Sequence, residues 1–273
     1  MRPRNNVVIP TRHGMMIVNR NDRLETDRGA FGVGHDLLVR GEYAQAELEI
    51  LAQMLQTCPA DPVVLDIGAN IGVHTLFFAD RVGASGQVHA FEAQRIVFQM
   101  LMGNAALNSL ENVHGYRVAL GRAAGRLKLP PVDYSKPWNF GGMGLVTESP
   151  DPQFAHGTPE RADADHGETI PMITLDSLDF ARVDFIKLDV EGMELDVLHG
   201  GRATIERDRP LMQVEWLVRD QGALPACLID DFGYRVFQAG MNLLCIPAER
   251  GGIVIDGTPE ITLAGLRANL GTP

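Results

Sequence analysis

Three carboxylates and a lysine lie close together in the second half of the chain, where two apolar runs end. Lys187 interrupts the first run, Asp189 and Glu191 follow it, and Glu215 comes at the end of the next run. A buried lysine must find a partner or lose its proton, so we expect a salt bridge from Lys187 to Asp189 or Glu191. Carboxylates in such a place can accept a proton from a substrate or bind a hard cation. We therefore predict that these four residues are catalytic rather than ordinary packing residues.

A strand that ends in a turn of small residues lies earlier in the chain, at residues 63–76. Val63–Ile67 is apolar apart from Asp66, which is typical of a strand buried on both faces. Gly68 and Gly72 bracket a sharp turn, and an amphipathic helix follows it. A strand, turn and helix in this order set backbone N–H groups and a helix N-terminus against a ligand.

Another carboxylate follows at the spacing expected of a nucleotide site. Glu92 lies twenty residues after Gly72, at the end of a second apolar run. In a strand–helix–strand unit this acid stands at the tip of the neighbouring strand, where it can accept both hydroxyls of an adenosine ribose. The alternative is an ordinary tight turn with a surface glutamate. The turn and the acid together favour an adenosine site.

The charge near the turn distinguishes between adenosine ligands. A dinucleotide site needs a third glycine and places a diphosphate on the helix N-terminus. Here Asn70 stands where the middle glycine would be, and Asp66 precedes the turn. A carboxylate at that position would repel a diphosphate, whereas it suits the ammonium group of S-adenosylmethionine. The sequence thus predicts this methyl donor as the cofactor, with Asp66 near its ammonium group.

The elements that must position these residues predict an α/β protein. Helical spacing follows each of the first two strands, and a third strand ends at Val118 and Ala119. These small apolar residues could form a slot for adenine, or they could be plain strand core. Residues 232–246 predict an antiparallel hairpin that closes the sheet.

The chain divides into three parts around this sheet. Residues 1–57 have too few apolar residues to fold alone, so we expect an N-terminal extension packed on a core at 58–250. Residues 251–273 are expected to be a peripheral tail. Within the extension, Gly32-Val-Gly34 is typical of a turn, whereas Leu48, Leu51 and Leu55 recur at helical spacing and predict a helix. Glu42 and Tyr43 at the start of this helix could face the ligand, although a helix cap and a half-buried aromatic are the more ordinary roles.

A long segment at 130–169, rich in Pro, Gly and Asp, interrupts the core. Such a segment in a compact domain is usually a lid or a disordered excursion. We expect Trp138, Asn139 and Phe140 to be exposed there and to contact the acceptor if the segment is a lid.

The composition excludes several kinds of partner. The 273 residues carry 24 Lys and Arg against 35 Asp and Glu, for a net charge of −11, without a large basic cluster. We therefore expect neither a nucleic-acid partner nor binding to anionic membranes. No apolar run approaches a membrane span or a signal-peptide core, and the three scattered cysteines are typical of a reducing compartment. A cytoplasmic location is expected, and the sequence does not predict an oligomeric state.

Several motifs together resemble those of the FkbM-type methyltransferases. They are Asp66-Ile-Gly-Ala-Asn-Ile-Gly72, Phe91-Glu92, Thr174-Leu-Asp-Ser-Leu178, Lys187-Leu-Asp-Val-Glu-Gly-Met-Glu194 and Leu198-His-Gly-Gly201. The resemblance covers about residues 15–247, and its most specific part is the Lys-x-Asp-x-Glu-Gly signature. It implies a Rossmann-like class I methyltransferase sheet of seven strands with the last antiparallel, and S-adenosylmethionine as the donor.

The resemblance also implies roles for individual residues and a class of acceptor. The expected acceptor is a hydroxyl on a sugar, glycan or natural product, and Lys187, Asp189 and Glu191 would lie beside the transferred methyl group. The full set expected to bind the donor is Asp66, Gly68, Ala69, Asn70, Gly72, His74, Thr75, Glu92, Ala93, Val118, Ala119 and Asp189.

Two questions of mechanism stay open at this point. Asp189, Glu191 and Glu215 could hold Mg²⁺, but Lys187 already supplies positive charge, so a site without metal is favoured. An NAD(P)-dependent oxidoreductase would use the same turn and Glu92, and a non-catalytic nucleotide-binding module would need none of the acidic cluster. Neither rival explains all of these residues, so methyl transfer is the preferred function.

Overall fold

A computed structural model of the protein describes residues 4–27, 29–142, 167–217, 222–251 and 258–270. The N-terminal part consists of two short hairpins and two helices: β1 (Asn6–Thr11), β2 (Gly14–Asn19), β3 (Leu24–Thr26), β4 (Gly29–Phe31), α1 (Val33–Arg40) and α2 (Gln45–Leu55). The first βαβ repeats and a small outer sheet follow: β5 (Val63–Ile67), α3 (Val73–Val82), β6 (Gln87–Phe91), α4 (Arg95–Leu107), β7 (Val113–Tyr116), β8 (Ala119–Leu120), β9 (Gly125–Leu129) and β10 (Glu168–Ile173). The remaining elements are β11 (Phe185–Leu188), α5 (Glu194–Gly200), α6 (Arg202–Asp208), β12 (Leu211–Glu215), α7 (Ala223–Ala226), β13 (Tyr234–Ala239), β14 (Asn242–Pro247), β15 (Glu260–Ile261) and α8 (Leu263–Leu270).

One large mixed sheet organises the described part of the chain. Its strands lie in the order β15-β13-β14-β12-β11-β5-β6-β7. The five strands from β12 to β7 run parallel, whereas β14 is antiparallel to both β12 and β13. Because the parallel strands share a direction, their carboxyl ends meet at one edge, which is where open α/β sheets bind ligands.

The sheet has eight strands rather than the seven that we predicted. The eighth is β15, which pairs antiparallel with β13 through Val236 and Phe237. It comes from the tail at 251–273, a region with little apolar periodicity. A two-residue strand leaves no alternating pattern long enough to be recognised in the sequence.

Helix α1 was not predicted, because Gly32 and Gly34 suggested a turn. Gly32 instead stands just before the helix, and the Asp22 carboxylate accepts a hydrogen bond from the N–H of Gly34 at 2.8 Å. A Cβ on Gly34 would lie 2.6 Å from the Cβ of Asp22, so this close approach requires glycine. The residue that caps the first turn is therefore distant in sequence, and local reasoning could not find it.

The N-terminal part packs directly on the sheet layer. Leu48, Leu51 and Met54 of α2 are buried in the same apolar cluster as Leu76 and Phe78 of α3. Their spacing along α2 follows the helical repeat, which explains why this helix was predicted from the sequence. The packing brings α2 over the edge of the sheet where β5 ends.

The described residues contain no helix that is both long enough and apolar enough to span a membrane. The three cysteines, Cys58, Cys227 and Cys245, are free thiols, as their scattered positions predicted. Two of them are buried, and burial raises the pKa of the Cys227 thiol to about 12. These thiols therefore serve as core residues rather than as reactive groups.

Candidate active site

A cavity of about 620 Å³ opens where β5, β6, β11 and β12 end. Twelve of the predicted site residues line it: Gly68, Ala69, Asn70, His74, Glu92, Ala93, Val118, Ala119, Lys187, Asp189, Glu191 and Glu215. Asp66, Gly72 and Thr75 are the predicted residues that do not reach its wall. The edge of the sheet that the sequence indicated is therefore the edge that carries the cavity.

The turn after β5 requires glycine at its first position. Gly68 has a φ of 82°, and a Cβ there would lie 1.7 Å from the carbonyl oxygen of Asp189. The N–H groups of Gly68 and Ala69 donate to the carbonyl of Phe91 at 3.0 and 2.9 Å, which ties the turn to the end of β6. Asn70 follows with a φ of 51°. The turn thus lies flat against both neighbouring strands and leaves the cavity open above it.

Glu92 stands at the end of β6 with both carboxylate oxygens hydrogen-bonded to the main chain. Oε2 accepts from the N–H of Asn70 at 3.0 Å, and Oε1 accepts from the N–H of Gln94 at 2.7 Å. Burial raises the pKa of Glu92 to about 7, against the opposing effect of these N–H groups. The carboxylate is therefore held in one orientation, and each oxygen keeps a lone pair for a ligand.

Asp66 lies beneath the cavity rather than at its wall. Its side chain is fully buried, the Thr75 hydroxyl donates to Oδ2 at 2.5 Å, and Lys187 Nζ lies 3.7 Å from Oδ1. Asp66 therefore neutralises a lysine beneath the cavity, and its side chain does not line the cavity in which we expected it to meet the donor's ammonium group. Thr75 and Gly72 are likewise buried and do not reach the cavity wall, so their predicted contacts with the donor stay predictions.

Lys187 is a buried cation that joins β11 to the turn after β5 at the floor of the cavity. It is 4% exposed, and Nζ lies 3.1 Å from Asp189 Oδ2 and donates to the carbonyl of Gly68 at 3.0 Å. Burial alone would lower the pKa of Lys187, but Asp189 and Asp66 together raise it above its ordinary value. The predicted pairing with Asp189 is confirmed. The lysine stays charged, so it can orient Asp189 and also fix the turn after β5.

Three carboxylates lie close together on the same floor of the cavity. Oxygens of Asp189, Glu191 and Glu215 lie within 4.8 Å of one another. Burial, and then the charges of Asp189 and Glu191, raise the pKa of Glu215 far above its ordinary value. Glu215 Oε2 is buried and has no hydrogen-bond partner among the residues that the structure describes. A glutamic acid that keeps its proton can donate to a substrate oxygen, while an ionised neighbour accepts one.

Glu194 supports this cluster from below and was not predicted as a site residue. Its Oε1 accepts from the N–H groups of Val190 and Gly192 at 3.0 and 3.1 Å. These bonds shape the loop in which Glu191 adopts a φ of 56°. The acid in this position precedes the apolar residues of α5, so the sequence signal was read as an ordinary helix start.

The N-terminal part supplies a wall that sequence reasoning largely missed. Leu24, Phe31, Gly32, Val33, Asp36, Tyr43 and Glu47 line the cavity from this side. Glu47 Oε1 accepts hydrogen bonds from His74 Nε2 at 2.8 Å and from Gln213 Nε2 at 2.6 Å. Tyr43 lines the cavity, which is one of the two roles considered for it. Glu42 instead forms an ion pair with Arg12 at the surface. Glu47 gave no signal beyond being one of several acids on an amphipathic helix.

The segment predicted to be a lid is described only in part. Trp138, Asn139, Gly141 and Gly142 line the cavity, and residues 143–166 lie outside the described part of the chain. Phe140 is 1% exposed, and its carbonyl accepts a hydrogen bond from the Gln94 side chain at 2.7 Å. The expectation that Phe140 is exposed is wrong, because this segment is tied to the core and to the N-terminal hairpins.

Comparisons with known proteins identify the family of the chain. Residues 66–236 match the family model described as the methyltransferase FkbM domain. Methyltransferase sdnD of Sordaria araneosa is 30% identical over 163 residues, which are 52% of this chain and 61% of that protein. The hexuronic acid methyltransferase AglP of Haloferax volcanii is 27% identical over 160 residues, 57% of this chain and 56% of that protein. The chain thus spans somewhat more than half the length of the curated relatives it matches.

Among solved structures, the methyltransferase FkbM of Methylobacillus flagellatus KT aligns with a TM-score of 0.47 and 17% identity, over 68% of this chain and 44% of that one. The family model begins at Asp66 and ends after β12, so it contains the turn, Glu92 and the whole acidic cluster. The resemblance of the motifs is therefore confirmed. Because the match covers more than half of the sequence, the chain belongs to the FkbM methyltransferase domain family.

Proposed function

We propose that the protein is an S-adenosylmethionine-dependent methyltransferase that acts on a hydroxyl group of a sugar, a glycan or a natural product. The observation that carries the proposal is one cavity that combines the turn after β5, Glu92 and the Lys187–Asp189 pair in a chain of this family. The turn and Glu92 suit a nucleoside, and the acidic cluster lies two strands away, where β11 and β12 end.

The donor would lie across the carboxyl ends of the strands. Glu92 would accept both ribose hydroxyls, with adenine against Ala93 after β6 and against Val118 and Ala119 at the start of β8. The amino-acid end and the methyl group would then extend over Gly68 towards the acidic cluster.

Methyl transfer would be an in-line displacement at the methyl carbon on the sulfonium. An acceptor oxygen held close and aligned would attack this carbon as its bond to sulfur breaks. Complete removal of the acceptor proton beforehand is too costly. The pKa values of a carboxylate and of an aliphatic hydroxyl differ by about twelve units, which corresponds to roughly 16 kcal/mol. The proton would therefore leave as the methyl group arrives. Asp189 or Glu191 would accept it, with Lys187 holding Asp189 in place.

The same carboxylates are chemically suited to a divalent cation. Asp189, Glu191 and Glu215 would be its ligands, and Mg²⁺ would supply a lower pKa for the acceptor hydroxyl. Lys187 already provides a positive charge 3.1 Å from Asp189, so we favour transfer without metal. In either case the chain's own carboxylates orient the acceptor.

The charge of the cavity wall bears on both ligands. Six carboxylic acids line it against one lysine, Lys187, among the described residues: Asp36, Glu47, Glu92, Asp189, Glu191 and Glu215. This surface would repel the diphosphate of a nicotinamide cofactor, so the preference for a sulfonium donor no longer depends on Asp66. It also favours an uncharged or cationic acceptor over an acidic one.

Calorimetric titration with S-adenosylhomocysteine and with NAD separates the two cofactor classes. We expect binding of the former and none of the latter, and the reverse result would contradict the proposal. Isotope transfer from labelled donor to a glycan or metabolite pool then tests catalysis, with Asp189→Asn compared with the parent. We expect transfer by the Asn variant to fall by about a hundredfold or more, and equal labelling would remove Asp189 from the mechanism.

A further inference from the structure

Glu47 presents a fixed carboxylate to the cavity from outside the region that the family model matches. It lies on α2, next to the buried anchor Leu48, and its side chain is 29% exposed. Both hydrogen bonds, from His74 and from Gln213, go to Oε1. Oε2 therefore has no hydrogen-bond partner among the described residues. The orientation of the carboxylate is set, while one oxygen is left for a ligand.

The charge of this carboxylate is secured although the group is partly buried. Burial opposes ionisation, but the hydrogen bonds from His74 and Gln213 lower the pKa of Glu47 to about 2. Within the described part of the chain, no lysine or arginine forms an ion pair with Glu47, and Lys187 is taken by Asp189 and Asp66. A partly buried carboxylate whose ion-pair partner is a histidine gains from a cationic ligand at its second oxygen.

The position of Glu47 relative to Glu92 indicates which ligand group it would meet. His74 lies in the first turn of α3, directly after the turn that follows β5, and Gln213 lies on β12. Glu92 lies at the end of β6, which is on the other side of β5 from β11 and β12. A nucleoside held by Glu92 would therefore extend its amino-acid end over Gly68 towards Glu47.

The other acids in the cavity are less suited to an ammonium group at this place. Glu92 would be occupied by the ribose, and Asp189 is paired with Lys187. Glu215 lies with Asp189 and Glu191 at the reacting end, where oxygens of the three carboxylates are within 4.8 Å of one another. Asp66, which the sequence suggested for this role, is buried beneath the floor. Asp36 lies on α1, with its carboxylate 3.9 Å from Arg40. Glu47 is the acid that remains near the start of α3.

We infer that Glu47 binds the α-ammonium group of the methyl donor, so that the N-terminal extension completes the donor site. The inference rests on the proposed function and deepens it, because it names the residue that recognises the amino-acid end. His74 and Gln213 act as positioning residues that hold the carboxylate. An isolated domain that begins at residue 66 would accordingly lack part of its donor site.

The test compares two ligands that differ in the amino-acid end. S-Adenosylhomocysteine carries the ammonium group, whereas 5′-methylthioadenosine lacks the whole amino-acid end but keeps the adenosine and the sulfur. Both are titrated into the parent and into Glu47→Gln by calorimetry. The glutamine keeps an acceptor oxygen for His74 and Gln213, so the wall should stay in place. Glu49→Gln, an exposed position on the same helix, is the matched control.

We expect Glu47→Gln to weaken S-adenosylhomocysteine by about tenfold to a hundredfold and 5′-methylthioadenosine by less than about twofold. Glu49→Gln should leave both affinities unchanged. Equal weakening of the two ligands, or no weakening of S-adenosylhomocysteine, would overturn the assignment. A parent protein that binds neither ligand would overturn the proposed function itself, together with this inference.

Decarboxylated S-adenosylmethionine separates the two charges of the amino-acid end. It keeps the ammonium group but lacks the carboxylate, so its affinity should fall in Glu47→Gln by about the same factor as that of S-adenosylhomocysteine. If its affinity is unchanged, Glu47 acts on the carboxylate side of the donor and the assignment to the ammonium group is wrong.

Discussion

Lys187 is a buried cation that forms ion pairs with two acids, Asp66 and Asp189. Its amine lies 3.7 Å from Asp66 and 3.1 Å from Asp189, and Asp66 is fully buried. Removal of one partner of a buried pair leaves an uncompensated charge, which costs far more than the loss of a surface pair. We therefore expect the lysine to stabilise the fold as well as to orient Asp189.

Lys187→Met should lower the free energy of unfolding by about 3–5 kcal/mol, because Asp66 loses its cationic partner. Urea denaturation measures this change. Lys136→Met is the matched control, since the Lys136 side chain is 78% exposed and should lose less than about 1 kcal/mol. The double variant with Asp66→Asn should recover part of the loss. A loss below about 1 kcal/mol in Lys187→Met would contradict the assigned role.

Glu92 should make donor binding depend on pH. Its pKa of about 7 in the free protein means that it is partly protonated at neutral pH, whereas two ribose hydroxyls need an ionised acceptor. At low pH the free protein carries protonated Glu92, which must lose its proton before it can accept both hydroxyls. The affinity for S-adenosylhomocysteine should therefore rise between about pH 6 and pH 8. The gain should approach about tenfold.

Calorimetry across this pH range tests the dependence, with Glu92→Gln as the reference. The amide cannot ionise, so its weaker binding should be independent of pH. A parent profile as flat as that of the glutamine variant would show that Glu92 does not contact the ribose.

At the scale of elements, the turn after β5 is the part that we expect to tolerate substitution least. Gly68 lies against the carbonyl of Asp189, so the backbone of the turn and the end of β11 are in direct contact. Gly83 also has a positive φ, of 66°, but a Cβ there would meet nothing within 4 Å. The two glycines therefore separate backbone strain from steric conflict.

Gly68→Ala should abolish donor binding and destabilise the fold by more than Gly83→Ala, which carries only a backbone strain of about 1–3 kcal/mol. Thermal unfolding and S-adenosylhomocysteine titration of both variants measure these effects. Equal stability and equal affinity in the two variants would mean that the turn can move away from β11.

The elements differ in how well the sequence predicts them. Val63–Ile67 and α2 were predicted because their apolar residues follow a strand or a helix period. Helix α1 depends on Asp22, which lies far from its first turn in sequence, and β15 is too short to show a period. Local patterns predict elements that bury a regular face, and they miss those that depend on a distant contact.

The same limit applies to the site. The acids that follow strands were predicted, because topology alone brings strand ends together. The burial of Asp66 was not predicted, because whether an acid faces the ligand or a buried lysine depends on side-chain packing between β5 and β11. Glu47 was missed because its partners, His74 and Gln213, lie on elements that meet α2 only in the folded chain.

At the scale of the whole molecule, the N-terminal part and the sheet form one cavity between them. Residues before Asp66, where the family match begins, supply a full side of the wall, and the strand ends supply the floor. The net charge of −11 is thus accompanied by a cavity in which acids outnumber the lysine. This charge distribution is what a sulfonium and ammonium ligand would require.

A crystal structure of the protein with S-adenosylhomocysteine tests the central claim most directly. We predict that the ligand lies in this cavity with both ribose hydroxyls within hydrogen-bond distance of Glu92 and its sulfur directed towards Asp189. A ligand bound elsewhere, or a ribose that makes no contact with Glu92, would contradict the account.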